Sequence, residues 1–573
     1  MSAMLLYRDV SPTASQDVAA DAYGQADFSM LPILFDESAI FTREQTCEHN
    51  GLLLDGEAEY FDLSNAHALW SQELSDAQGF FAQPIVLDMQ FEERQSSVGL
   101  TFHFDIESNL FATDMHISWY RGTELLARRG FAPNAVAFTT AQVVQNYDRV
   151  EVSFFRVNRR FSRLRLQSVL FGIVRAFGSD NFLMRGCEVY QGYDPGHRAQ
   201  VIDSANFSLI ADNAVPFLFA RHQSLQLFWG GKLFGTYRLE SGQVRRGEGH
   251  SRVDIAAVST LGLLETLSPF HGDLYFGENA DVLARAIVGD EVATRLDLSL
   301  VDKRIWGWIP WGSRREALTQ LCFALGAYCR VEADGSLALL PQAEGITRVV
   351  DADRLYRDGV LTHETAAAVE LTVHHFSPLA ADGLVTLFEG EIEGEHLVVF
   401  SAPHFNVIVH NAEVLDESAN HVRIQGNGGS CSVRGLAYRH STSVVRREYP
   451  DAGGRERTVE VQNMLLSSCD SDDMKFERLF RAAAADCRYE GDILLVDSPK
   501  DMPLVNVGER VVVGGVDGFV SRLQLQFGHR RIRAAVQVVG RAADGVTHDA
   551  LRGGTHDVLS ERTHSEIRYG VNK

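Results

Sequence analysis

No run of eighteen apolar residues occurs in the 573-residue chain, so no membrane-crossing helix is expected. The opening MSAMLLYRDVSPTASQDVAADAYG has a short apolar patch but no basic start, and acidic residues soon follow; signal peptides are not built this way. Basic residues are scarce. Against 76 Asp and Glu stand 53 Lys and Arg, a net charge of −23. A surface that grips nucleic-acid phosphates needs clustered Lys and Arg, and this balance argues against one. The seven cysteines, Cys47, Cys187, Cys322, Cys329, Cys431, Cys469 and Cys487, are scattered and form no CxxC pair. A disulfide framework or zinc ribbon is therefore not expected, and assembly in a reducing cytoplasm fits better.

Catalytic signatures are equally sparse. No serine sits in a GxSxG elbow, and there is no HExxH. Glu92-Glu93 and Asp472-Asp473 pair carboxylates in turn or cap settings and read as solvated surface. His374-His375 invites a metal, but neighbours on a strand face opposite sides and cannot share one ion. Cys322 and Cys329 read as small apolar core residues. Gly426-Asn-Gly-Gly429 precedes a strand, whereas a phosphate cradle needs a following helix N-terminus, so it reads as a hairpin turn. No catalytic, cofactor-binding or metal residues are assigned, no cofactor is expected, and no ligand-binding residue is identified. The chain reads as non-enzymatic.

What is present is ordinary globular material, 45% hydrophobic and 23% charged, in a length that implies three to five domains. Residues 1–26 read as a polar arm. Residues 27–178 read as all-β, with alternation in Val98–Phe104, His116–Tyr120 and Val150–Phe155. Phe161–Gly172 reads as a strand with Leu164 and Leu166 on one face and Arg163 and Arg165 on the other. Of Trp119 and Tyr120, one is expected in the core and the other at the surface, where with Arg121 it would suit stacking on a sugar. Residues 179–268 remain β-rich, with Gln226–Trp229 and Lys232–Leu239 joined at Gly230-Gly231, then Arg252–Ala257 and an apolar tract, Leu261–Leu267.

Residues 269–345 change character. Asn279 can cap a short helix to Val288, with Val282, Leu283 and Ile287 on one side. Trp306, Trp308, Pro310 and Trp311 read as an aromatic turn that blocks helix upstream. Ser313 and Glu316 then have capping-box spacing, followed by Ala317, Leu318, Leu321, Cys322, Leu325 and Tyr328 on one apolar face, with Gly326 in the last turn. Tyr328–Val331 and Ser336–Leu340 form a hairpin about Asp334-Gly335. Each Leu buried in this unit contributes roughly 1.5–3 kcal/mol.

Residues 346–540 return to β, with strands at Val369–Val373, Glu395–Phe400 and Phe405–Val409, and a hairpin at Asn427-Gly428. A helical stripe runs over 472–489 through Phe476, Leu479, Phe480, Ala483, Ala484 and Cys487. Asn506–Val513, a turn at Asp517-Gly518, Phe519–Leu525 and Arg531–Val539 close the region. Residues 541–573 are a polar tail.

The order of these pieces resembles the hub proteins of phage tails and related injection machines. The resemblance rests on the aromatic-Pro turn, RREALTQLCFALGA and DGSLALLP, on the GG-turned hairpin followed by VDIAAVSTLGLLE, and on VGERVVV followed by VSRLQLQFGHRRIRAAVQVVG. It implies a mainly β, multidomain chain with two tube-like β-barrels and a small α/β domain between them. Leu69-Trp-Ser71, Pro84–Leu87 and the basic-apolar strand ending near Gly172 resemble the galactose-binding-like, discoidin-type jelly roll. The implied function is a structural ring, a trimer, in the virion tail tip or baseplate. Its partners would be tail tube, distal tail, tape-measure and spike proteins, with host glycans possible for the sandwich. DNA would pass the lumen without specific binding, along an acidic wall. A secreted or surface carbohydrate-binding adhesin is the alternative.

Overall fold

The N-terminal octapeptide Ala3–Val10 alternates strictly between buried and half-buried positions, with Ala3, Leu5 and Tyr7 inside. Period-two alternation is what a half-buried strand requires. It pairs antiparallel with Gly172–Gly178 on one side and with Ser224–Trp229 on the other. The expected polar arm is thus, over these eight residues, a strand inside a large sheet. Its first five residues are all apolar, so the period-two burial does not show in the sequence. The structure is a computed structural model. It describes residues 3–11, 14–35, 68–196, 199–212, 216–220, 222–341, 348–350, 355–362, 366–378, 384–448, 457–467, 479, 487–495, 505–528 and 532–542.

The fold is mainly β and multidomain, as expected. Its centre is a 13-stranded sheet. The path runs from Gly172–Gly178 through Ala3–Val10, Ser224–Trp229, Lys232–Arg246, His250–Val258 and Ser204–Asp212 to Phe182–Gly192. It continues through Val516–Phe527, Ile532–Ala542, Cys487–Leu495 and Leu355–Thr362. The two halves join where Phe182–Gly192 pairs antiparallel with Val516–Phe527, Val189 opposite Leu525. One face carries a single core shared by both halves, from Leu225, Phe207 and Val253 to Leu523, Val536 and Tyr489. The regions expected to make two separate barrels therefore build one continuous sheet, and no ladder closes it among the described residues.

Two glycine pairs turn its hairpins. Gly230 and Gly231, at φ 56° and 79°, join their strands as expected. In the C-terminal half the turn is at Gly514-Gly515, φ 55° and 81°, and not at Asp517-Gly518. Two successive positive φ angles suit glycine, while Asp517 is held inside its strand by Arg510 at 2.9 Å.

Strands Ala3–Val10 and Gly172–Gly178 are neighbours, yet some 160 residues lie between them, and Val10 faces Gly172. Those residues hold the sandwich, an insertion into one hairpin of the large sheet. Gly172–Gly178 thereby belongs to the large sheet. The sandwich packs a five-stranded sheet on a four-stranded one. Between them lie Leu87, Phe102, Phe104, Ile117, Trp119, Val152, Phe154 and Leu166. Leu164 and Leu166 are buried as expected, but so is Arg165, which meets buried Asp105 at 2.7 Å and lies over Trp70 at 4.6 Å. A buried guanidinium needs such a partner.

The small α/β unit is a second core. Helix Arg314–Leu325 starts at Ser313, whose Oγ accepts from Glu316 N, and ends at Gly326 in the left-handed region. Its buried face is Ala317, Leu318, Leu321, Cys322, Ala324 and Leu325. Tyr328 falls in the following strand, Ala327–Val331, which reverses at Gly335, φ 90°. Helix Ala280–Val288 is capped by Asn279, and Leu283 and Ile287 are buried; Val282 is 56% exposed. At 100° per residue it stands off the stripe that Ala280, Leu283, Ala284 and Ile287 share. Trp306 and Trp308 lie in a strand, Arg304–Ile309, and not in a turn. Leu261–Leu267 is largely helical, Thr260–Thr266.

A separate six-stranded sheet is built on the 28-residue strand His421–Glu448. The expected hairpin at Asn427-Gly428 is a bulge inside this strand, because Leu384–Val399 runs along its whole first half. On its other flank His404–His410 and Ala412–Glu417 follow one another in the same direction, interrupted at Asn411, φ 63°, and the chain reverses after them, where Ser418 N donates to His421 O. The helix expected at 472–489 falls mostly outside the described residues; at its end Cys487 to Tyr489 are strand, with Tyr489 in the main core. Asp472-Asp473, Cys47 and Cys469 also lie outside, as does the tail beyond Ala542; Arg541 and Ala542 end the strand Ile532–Ala542.

Candidate functional site

The second face of the large sheet is polar. Alternation puts Leu523, Leu525, Ala534 and Val536 in the core and Arg522, Gln524, Gln526, Arg533 and Gln537 on the other side. Neighbouring strands add Glu188, Asn206, Ser208, Arg252, Asp254, Arg488, Glu490 and Asp492. These groups satisfy one another across the strands. Gln526 donates to Glu188 at 2.6 Å, Gln537 to Glu490 at 2.8 Å, and Ser208 to Asp254 at 2.6 Å. Arg533 pairs with Asp492, and Arg252 with Asp254 at 2.9 Å. The Arg252 hydrogen bond holds the Asp254 carboxyl below the usual range. Arg522 covers the Tyr190 ring. The expected acidic wall is not found on this face, because its acids alternate with arginines that neutralise them.

The edges of the same sheet are its other chemical feature. Gly172–Gly178 at one end and Leu355–Thr362 at the other each have one partner strand among the described residues. Both carry exposed apolar side chains, Val174 at one end and Val360 and Leu361 at the other. An edge strand offers a row of backbone donors and acceptors to another chain.

Behind the join of the two halves lies a cavity of about 360 Å³, lined by Tyr193, Asp203, Trp229, Tyr328, Cys329 and Asn506 among others. Burial pushes the Asp203 carboxyl up to about 7, against the hydrogen bonds it accepts from Gly192 and Gln191. Burial raises the Cys322 and Cys329 thiols far above their ordinary range, as befits inert core residues.

Other residues singled out in the sequence are placed as follows. Trp119 is fully buried in the sandwich core, and half-buried Tyr120 lies under the Arg149 guanidinium at 5.1 Å. Only Tyr120 of the pair is open to a ligand. His374 is buried and His375 exposed, on opposite faces; His374 Nδ1 lies 2.8 Å from His440 Nε2. Glu92 and Glu93 are exposed, and their backbone N–H groups donate to Asp17. The polar face was open to sequence reading through the alternation of VSRLQLQF; its cross-strand pairs were not, since the partners lie up to 338 residues apart.

No family model matches the chain, and no curated protein matches it. Solved structures similar to it include a tail protein from Neisseria meningitidis, at 12% identity and TM-score 0.39, covering 62% of this chain and 91% of that one. A prophage tail protein from Shewanella oneidensis is similar at 11% identity and TM-score 0.38, covering 62% and 93%. The prophage tail protein gp18 from Listeria monocytogenes is similar at 9% identity and TM-score 0.37, covering 64% and 92%.

Proposed function

We propose that the chain is a structural subunit of a phage or phage-derived tail tip or baseplate, a hub that assembles as a ring, a trimer, around the tail channel. The observation that carries this reading is the 13-stranded sheet with a shared core on one face, a self-neutralised polar face on the other, and an open strand at each end. Open sheets of this length curl, and their edges need covering. Edge-to-edge closure with two further copies covers all of them at once and makes a tube. The polar face becomes the lumen. Arg252 and Arg533 are held by carboxylates and Arg522 lies over the Tyr190 ring, so it offers passing DNA few free cations to bind. The sandwich, tethered at Val10 and Gly172, hangs outside this ring and meets other tail proteins or host glycans. Tube, distal-tail, tape-measure and spike proteins are the expected partners, assembled in the host cytoplasm, and the chain carries out no catalysis.

Sedimentation of the full chain tests the proposal. The expected species has about three times the 63.6 kDa subunit mass, with interfaces on the order of 2,000 Å² or more. A stable monomer at high concentration, unchanged by added tube protein, contradicts it.

A further inference from the structure

Where the six-stranded outer sheet meets the α/β unit, the contact is built around one asparagine. Asn420 is fully buried; its Nδ2 donates to His271 O at 2.8 Å and to Ile309 O at 2.7 Å, and its Oδ1 accepts from Trp308 Nε1. Ala419 N donates to Asp273 Oδ1 at 3.0 Å beside it. Gly272, at φ +63°, makes room: a Cβ there would stand 2.1 Å from Ile309 O and 2.6 Å from Asn420 Nδ2. This fixed junction brings His271 of the α/β side to Asp416 and His421 of the outer sheet, which lie 145 or more residues further along the sequence.

Their ligand atoms, one from each residue, all lie within 4.8 Å of one another. Asp416 Oδ2 and His421 Nε2 are already 3.2 Å apart. Around an ion with bonds of about 2.0–2.1 Å in tetrahedral array, ligand atoms stand roughly 3.4 Å from each other, so a small side-chain rotation closes the set. The ring of His271 is held flat against Trp311, centroids 4.3 Å apart and planes 10° apart, and meets the His421 ring edge-on at 4.7 Å. Among the described residues no protein group hydrogen-bonds the His271 ring.

The second nitrogen of His421 is also fixed. Nδ1 lies 2.8 Å from Ser418 Oγ, which itself accepts from Asn420 N at 3.1 Å. With Nδ1–H donating to Ser418, the Nε2 lone pair points at a carboxylate, an arrangement that needs a cation between the two. Metal-bound histidines are oriented in this way, by a hydrogen bond to the nitrogen that does not bind the ion. The opposite tautomer, Nε2–H donating to Asp416, needs no ion, and the test below separates the two.

We propose that His271, Asp416 and His421 bind a divalent first-row transition ion, zinc by the make-up of the ligand set, which pins the outer sheet to the α/β unit. Two imidazoles and one carboxylate suit zinc and its neighbours and do not suit magnesium or calcium. Trp311 shields one side, and water completes the coordination. The role is that of a clamp, and it does not depend on the tail reading.

The test uses the full chain, stripped with a chelator and then given Zn²⁺, Co²⁺ or Mg²⁺ alone. Expected are one zinc per chain, with an apparent dissociation constant below about 1 µM, and visible Co²⁺ absorption bands of a site with nitrogen ligands. Zinc should also slow amide exchange across 412–426, and Mg²⁺ should do none of this. His271→Gln and Asp416→Asn, both outside the buried core, should each weaken zinc by about tenfold or more while leaving the far-UV spectrum unchanged. Absence of stoichiometric zinc from the wild-type chain overturns the proposal and selects the ion-free tautomer. Binding undiminished in both variants also overturns it, by placing the ion elsewhere.

Discussion

Replacing Asp105 with asparagine keeps the shape of the side chain and removes its charge from beside Arg165. In the folded chain the two side chains are 2% and 6% exposed and 2.7 Å apart. At an effective dielectric constant of about 20 their attraction is about 6 kcal/mol, offset by the desolvation of both groups. Removing this carboxylate weakens the charge balance around a guanidinium buried over Trp70, and costs about 3–5 kcal/mol. The loss falls on the strands that the pair ties together, Thr101–Phe104 and Arg165–Leu170, where Phe104 faces Leu166. Amide exchange in those two strands should therefore rise steeply in Asp105→Asn, while the large sheet keeps its protection. The companion variant, Asp105→Asn with Arg165→Met, removes the buried charge as well and should recover part of the loss, giving a coupling above about 1 kcal/mol. A single-variant cost below about 1 kcal/mol, or additive variants, would refute the reasoning.

Three further outcomes are expected. Asp203→Asn should raise the melting temperature at pH 8 and not at pH 4: burial lifts the folded pKa to about 7, so between about 4 and 7 only the unfolded chain loses the proton. Stability falls with rising pH across that window, and the asparagine variant should lack the fall. Leu318→Ala, in the fully buried face of the α/β helix, should cost about 2–5 kcal/mol in urea unfolding. Leu361→Glu, on the exposed edge of the large sheet, should reduce assembly measured by sedimentation while leaving the circular dichroism spectrum unchanged.

Local chemistry carried most of what could be read from sequence. Ser313, Asn279, Gly335 and Gly230-Gly231 each mark an end or a turn through their own backbone requirements, and each does so in the fold. Features that depend on distant partners were not legible. Ala3–Val10 is a strand because Gly172–Gly178 and Ser224–Trp229 flank it; its short apolar run does not by itself distinguish strand from helix. Asn427-Gly428 has hairpin composition, but pairing with Leu384–Val399 on both sides of it keeps it a bulge within one strand. Asp517-Gly518 was misread for a related reason, since the adjacent Gly514-Gly515 pair meets the turn geometry at lower cost. The join of the two sheet halves rests on Val189 and Leu525, more than 300 residues apart, and the junction of His271 with Asp416 and His421 spans about half that distance in sequence. Alternation showed which residues share a face, and only the fold shows which faces meet.

Images of the purified full chain mixed with its tube protein, taken by electron microscopy, bear most directly on the central idea that the open sheet closes with other copies of itself. The expected particle is a threefold ring with a hole lined by the face that carries Arg533, Gln526 and Glu188. Isolated single subunits, or an assembly in which that face packs against protein and leaves no channel, would contradict it.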